Sequence, residues 1–173
     1  MEISIFTVGS VTTAEKEELE SGTMREYFRG MFRPMALLAD DLEEFGHVNT
    51  HILSHEYGYV RGDDLLSEIE DHRGDVESMQ ESLVQASQSS DVIIIALMKD
   101  EYELVVKPVW EDVVDNIKSS QIVGLSAPET VQEWLISEGL KEANCELVVY
   151  NKVGPALVSK EFKQKTHELV ESL

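Results

Sequence analysis

The sequence predicts a single α/β domain over residues 1–173, a three-layer sandwich around a mainly parallel sheet of about five strands. Three observations carry this. Short runs rich in Ile, Val and Phe alternate with longer segments whose apolar residues recur every three or four positions, the order that parallel strands and crossover helices require. The run 91–97 (DVIIIAL) has no polar residue after Asp91, as suits a central strand covered on both faces. At 173 residues the chain is also long enough to bury one core.

The elements follow in order. Residues 2–8 alternate and are rich in Ile, Phe and Val, a first strand. Residues 9–22 are polar, hold Glu15, Glu17, Glu18 and Glu20, and read as a loop with a short helical piece. Residues 24–45 form a long helical pattern through Tyr27, Met31, Met35, Leu38 and Leu42, with Pro34 expected to kink it and Gly46 to cap it. Residues 48–53 are the second strand, followed by a polar loop to Asp64 and a short helix over 64–69. A clearer helix spans 75–88, with Val76, Met79, Leu83 and Ala86 on one side. After the strand 91–97 a helix runs over 101–118 with a kink at Pro108. Residues 121–125 form a strand, Ser126 is the expected N-cap of a helix to about 137, and Gly139 ends that helix. A last strand spans 145–150 and a last helix 159–173. This alternation resembles a flavodoxin-like or Rossmann-like sandwich. The order of the strands is not legible in it.

Composition narrows the class. The longest apolar run, 92–98, is too short to span a bilayer, and no basic segment followed by an apolar one opens the chain. A cytoplasmic protein without a membrane partner is expected. The one cysteine, Cys145, leaves no internal disulfide and opens an apolar run, where a buried structural thiol is expected. His47, His72 and His167 share no ligand spacing, so no metal site and no cofactor is expected. Asp and Glu number 34 against 14 Lys and Arg, a formal net charge of −20 spread along the chain. Dispersed acids on a patterned chain point to salt adaptation rather than to an acidic tail or disorder.

The densest concentration of chemistry is the segment 50–64 (THILSHEYGYVRGDD), which leaves an apolar strand and at once presents Ser54, His55, Glu56, Tyr57, Gly58 and Tyr59. In open α/β sheets ligands bind beyond the carboxyl ends of the strands, so this is either a candidate ligand edge or a polar surface loop. His55, just past the strand, is the candidate acid–base group, with Glu56 to polarise it or act itself. Tyr57 is placed to stack on a ring, and Gly58 to turn the chain. His51 within the strand reads as a core histidine. Gly9 and Ser10 follow the first strand, where nucleotide folds hold phosphate, but the glycine pattern of such loops is missing. Arg25, Arg29 and Arg33, three of the five arginines, recur every four residues and so share one helical face. They either pair with nearby acids or hold a phosphate or carboxylate. Asp100 and Glu101 suit a helix N-terminus, and Tyr102 is a candidate pocket wall.

Three stretches resemble a known family. Tyr27 followed by Phe32-Arg33, the segment Ile52-Leu53-Ser54-His55-Glu56-Tyr57-Gly58-Tyr59-Val60, and residues 96–108 with Tyr102 and Pro108 resemble a group of small prokaryotic and phage domains. That group is related to the YaaA peroxide-stress proteins, whose signature reads Ile-Leu-Ser-Ala-Lys-Tyr-Gly-Leu-Val. The resemblance implies a nucleotide- or nucleobase-related role. The chain departs from the family at its first loop, Gly9-Ser10-Val11-Thr12-Thr13 in place of a Cys-Ser-Lys-rich one, and at Glu56 in place of the signature lysine. No thiol or lysine chemistry therefore carries over to those positions.

Three functions fit these readings. The first is a site at the carboxyl edge of the sheet for a nucleotide or nucleobase ligand, with cleavage or exchange at an N-glycosidic bond as the candidate reaction. The second is a non-enzymatic stress protein contacting nucleic acid through the arginines, which the net charge disfavours. The third is an interaction subunit docking through Met24, Phe28, Met31, Phe32 and Met35. The charge also makes a prediction. At about 1 M salt the Debye length is about 3 Å, so repulsion among the carboxylates is screened. The melting temperature should rise between dilute buffer and molar KCl, and an unchanged value would remove the salt-adapted reading.

Overall fold

The computed structural model describes residues 1–19, 22–69 and 72–173. Glu20, one of the acids in the first loop, lies outside them. Among the described residues six strands form one sheet: β1 (Glu2–Val8), β2 (His47–Ser54), β3 (Gly58–Arg61), β4 (Val92–Ala96), β5 (Ile122–Ala127) and β6 (Glu146–Asn151), in the order β3-β2-β1-β4-β5-β6. All neighbours are parallel except β2 and β3, which are antiparallel. The five parallel strands, counted by themselves, have the order 2-1-3-4-5 of doubly wound flavodoxin-like sheets. β4 and β5 are buried at every position, as strands covered on both faces must be.

Helices cover both faces. On one lie α2 (Arg33–Leu42) and the C-terminal α9 (Lys160–Glu171), which touch each other and the sheet. On the other lie α4 (Val76–Ser89), α6 (Trp110–Asn116) and α7 (Glu129–Leu135). The buried Trp110 donates through its indole N–H to the carbonyl of Leu135 at 3.1 Å, tying the last two together. Shorter helices α1 (Met24–Tyr27), α3 (Leu66–Ile69), α5 (Lys99–Glu101) and α8 (Lys141–Ala143) fill the connections. Among the described residues no helix is long and apolar enough to cross a membrane.

Several elements differ from expectation. The sixth strand, β3, lies within the supposed polar loop. The chain turns at His55-Glu56-Tyr57 and runs back antiparallel, pairing Leu53 with Tyr59 and Ser54 with Gly58. Period-two alternation over four residues is too short to distinguish from a polar loop. The expected helix over 24–45 is three pieces: α1, a 3₁₀ turn (Gly30–Phe32) and α2. It breaks not at Pro34, which sits harmlessly in the first turn of α2, but at Phe28 to Gly30. There Phe28 is extended and bridges Thr13, and Gly30 takes φ +58°. Gly46 is not a cap, since α2 ends at Leu42 and Glu43 takes the C-cap position. The helix after β4 starts earlier than expected, at Lys99, and continues through a π-helical turn (Tyr102–Val106) and a 3₁₀ turn (Lys107–Val109) into α6. Ser126 is a strand residue and not an N-cap. Its hydroxyl donates to the carbonyl of Leu157, and Pro128 takes the cap position. Gly139, at φ +122°, ends the regular helix after β5 as expected, and a further short helical stretch runs to Ala143 before Asn144 turns left-handed.

His51 is a packed core histidine. It is 6% exposed, stacks on Phe6 at 4.4 Å between ring centroids, and shares a 2.8 Å hydrogen bond with the Tyr59 hydroxyl. Burial, aided by the Arg61 charge, pushes its pKa down to about 4. The unfolded chain, with the ordinary histidine value near 6.5, therefore binds the proton more readily than the fold does. Stability from this group is present above pH about 6.5 and falls as the pH drops toward about 4, by a total on the order of 3 kcal/mol. Denaturant unfolding against pH should show this slope, and H51N should flatten it. An identical slope in the variant would contradict the assignment.

Candidate functional site

β1 is flanked by β2 on one side and β4 on the other, and the chain leaves β1 and β4 toward opposite edges of the sheet. Beyond the carboxyl ends of these two strands lies the switch point, where nothing crosses the gap. A crevice of about 380 Å³ opens there. This is within the size range of small-ligand sites. Val8 and Gly9 at the end of β1 and Leu53 at the end of β2 line it, with Val11 and Met31 from the connection that follows β1. Met98 and Leu104, after β4, and Val76 at the start of α4 complete the apolar walls. Its polar groups are Ser54, His55, Arg73, Asp100 and Glu101.

Backbone contacts shape the wall that carries His55. Gly9 N–H donates to the Leu53 carbonyl at 2.9 Å, so the two strand ends leave the sheet together. The Ser54 hydroxyl accepts from the Tyr57 N–H at 2.9 Å and closes the hairpin turn. Gly58 has φ +65°, and a Cβ built on it would lie 2.1 Å from the carbonyl oxygen of Gly74. A Cβ on Gly74 would lie 1.9 Å from the Tyr59 carbonyl oxygen. The two backbones therefore touch, with Gly74 N–H donating to the Tyr57 carbonyl at 3.0 Å. Only glycine permits that approach, and it brings the neighbouring Arg73 to the crevice.

The structure sorts the sequence candidates. Gly9, Ser54 and His55 line the crevice together, with His55 exposed at its rim and Ser54 buried. Glu56, next in the turn, faces elsewhere: the Tyr27 hydroxyl donates to it at 3.3 Å and Lys16 lies 4.0 Å away. Tyr57 is 4% exposed, packed edge-on to Tyr27 at 6.0 Å, and burial pushes its phenol up to about 12. It stands under the hairpin with no open face for a ring to stack on. Tyr102 is likewise enclosed in the core, and its hydroxyl lies within 2.7 Å of the Ile95 carbonyl and 2.8 Å of the Ser126 carbonyl. It bridges β4 and β5 rather than lining the crevice. Ser10 is buried with its hydroxyl donating to the carbonyls of Thr12 and Arg29, so that donor is already used.

The arginines gather elsewhere. Arg25, Arg29 and Arg33 line a separate surface groove with Glu26 and Asp40. They do so although the helix that was to align them is broken. Arg25 pairs with Glu43 at 2.6 Å and Asp40 at 3.6 Å, while Arg29 and Arg33 are exposed and make no ion pair among the described residues. Met24, Phe28, Phe32 and Met35 are buried in the core, so the proposed docking face does not exist on this helix pair, and only Met31 is part-exposed. Among the described residues no group of three His, Cys, Asp or Glu side chains is arranged to hold a metal ion. Cys145 is half-buried, and burial raises its thiol pKa.

Sequence reasoning missed Met31, Arg73, Val76, Met98 and Leu104. Met98 could have been found as the first residue past a central strand. Arg73 carried no signal, because its position depends on the contact between Gly58 and Gly74.

No family model matches the chain, and no curated protein matches it. Solved structures to which it is similar include a flavodoxin-like domain from Synechococcus sp., at 11% identity over 96% of this chain and 87% of that one, TM-score 0.44. Another is the diflavin flavoprotein A3 from Nostoc sp., at 9% identity over 99% and 90%, TM-score 0.45.

The glycine contact can be tested directly. Gly58→Ala combines a positive φ with a backbone clash and should cost about 2 kcal/mol or more in denaturant unfolding. A loss below about 0.5 kcal/mol would show that the hairpin wall is not held as described.

Proposed function

We propose that the crevice at the switch point between β1 and β4 binds a nucleobase-type heterocycle. The observation that carries this is the chemistry of its walls: apolar side chains on several sides, with a few hydrogen-bonding groups between them and, among the described residues, no glycine-rich phosphate loop or free helix N-terminus. The Ser10 hydroxyl is engaged with backbone carbonyls. No helix starts directly after β1, and the helix that starts after β4 has its own carboxylates, Asp100 and Glu101, in its first turn. Carboxylates there occupy the positive end of the helix and repel an incoming anion. A neutral ring meets no such penalty. Arg73 is the one cation on the rim among the described residues.

His55 is the group placed to take part in chemistry on such a ligand. In N-glycosidic hydrolysis the bond between the base nitrogen and the sugar carbon breaks, water adds to that carbon, and the base leaves carrying a proton. His55 at the rim would supply that proton and recover one from the attacking water. The exposed Arg29 and Arg33 support a second reading, an anion or nucleic-acid contact on the separate groove. The net charge of −20 works against it.

Ligand-observed NMR in molar KCl with free bases, nucleosides and nucleoside monophosphates tests the first reading. Bases and nucleosides should bind, and the monophosphates about tenfold or more weaker. Leu104→Glu, a change at a half-exposed wall position, should weaken base binding by about tenfold or more without unfolding the protein. Binding that is indifferent to Leu104→Glu would overturn the assignment, as would monophosphates binding tighter than their bases. His55→Ala should leave base binding intact while removing any nucleoside hydrolysis.

A further inference from the structure

We propose that Lys152 and Glu101 together recognise the lactam edge, a carbonyl beside a ring N–H, of the heterocycle held in the crevice. This rests on the crevice reading above and names the ligand class it selects. The Lys152 amine would donate to the carbonyl oxygen, and the Glu101 carboxylate would accept from the ring N–H.

Two unmet hydrogen-bonding capacities carry the inference. Glu101 lines the crevice, and its Oε2 atom is buried without a hydrogen-bond partner. Buried carboxylate oxygens are normally satisfied, so an orphan acceptor at the wall of a crevice marks a place for a donor. Lys152, just past the end of β6, is only 7% exposed, and a lysine that deep normally meets an acid or several carbonyls. Here the only hydrogen bond its Nζ makes among the described residues is to the thioether sulfur of Met98, a weak acceptor. Met98 itself lines the crevice. Lys152 thus stands one flexible side chain behind the wall.

The pair is held apart. Among the described residues Lys152 makes no ion pair within 4 Å, yet Glu101 is the charge that acts on it. Burial lowers the lysine pKa and Glu101 opposes that, the behaviour of a poorly solvated amine beside a carboxylate it does not touch. Lys152 is also fixed at its backbone. Its N–H donates to the Ala127 carbonyl at 2.9 Å, and the far end of the same loop is fastened where the Ser126 hydroxyl meets the Leu157 carbonyl. A donor and an acceptor, both without an adequate partner, complement an edge that offers one acceptor and one donor. Methionine, unbranched and soft, is suited to move aside for it.

Hypoxanthine and adenine separate this from the broader reading, because they share ring size and differ in whether that edge is a lactam. In calorimetric titrations at molar KCl, hypoxanthine should bind at least about tenfold tighter than adenine, since a site built to hydrogen-bond one edge rejects its inverse. Lys152→Met should remove that preference by weakening hypoxanthine alone. Equal affinities that Lys152→Met leaves unchanged would overturn the lactam assignment while leaving the crevice reading in place. Neither base binding at all would overturn both. Should Lys152→Met fail to fold, the wild-type protein decides: hypoxanthine, and not adenine, should slow reductive methylation of Lys152. Equal labelling with and without hypoxanthine would overturn the proposal.

Discussion

Everything at the site depends on β1 being hydrogen-bonded along both edges, to β2 on one side and β4 on the other. From β1 the chain crosses over to β2 on one side, and from β4 it crosses over to β5 on the other. The segments that follow β1 and β4 therefore diverge, and the gap between them cannot be closed by a connection. The sheet itself is covered on both faces there, with β4 buried throughout. A crevice at this point is a consequence of topology before any side chain is considered.

Two local contacts then decide what the crevice is made of. The backbone approach of Gly58 to Gly74 pulls the segment ahead of α4 against the hairpin and brings Arg73 to the rim. The Tyr102 hydroxyl, between the carbonyls of Ile95 and Ser126, ties the ends of β4 and β5 and sets where the helix after β4 begins. Its buried phenol is raised well above the usual range by desolvation, so it remains a donor at any physiological pH. The first turn of that helix places Met98, Asp100 and Glu101 along one wall. Carboxylates in that first turn repel an incoming anion, and the Lys152 amine lies behind Met98.

Part of this was legible from residues alone. The position of Ser54 and His55 follows from the sequence, because a polar stretch immediately beyond an apolar strand belongs at the carboxyl edge of an α/β sheet. Tyr57 and Tyr102 show the limit of that logic. Both sit in the right stretches, yet both side chains turn inward, one under a hairpin and one between two strands. Inward and outward are set by φ and ψ at the turn and by the register of the pairing, which composition does not record. Glu56 faces away from the crevice for the same reason, since consecutive residues of the tight turn face different neighbours. Helical spacing predicts the arginine stripe, and the three side chains share a groove although the helix is broken. Extended backbone at Phe28 and a left-handed Gly30 replace the regular helical turn there.

The sequence by itself determined the class of the fold, the central parallel strands, the packed state of His51 and the acidic surface, because each follows from local pattern or from simple counts. Only the tertiary structure decided the strand order, the short antiparallel β3, the separation of the arginine groove from the crevice, and the contact of Lys152 with Met98 behind the crevice wall. Those depend on contacts between residues far apart in the chain, such as Gly58 with Gly74 or Lys152 with Met98. Their free energy comes from packing and from excluding water around polar groups, and no window of neighbouring residues contains either partner's burial.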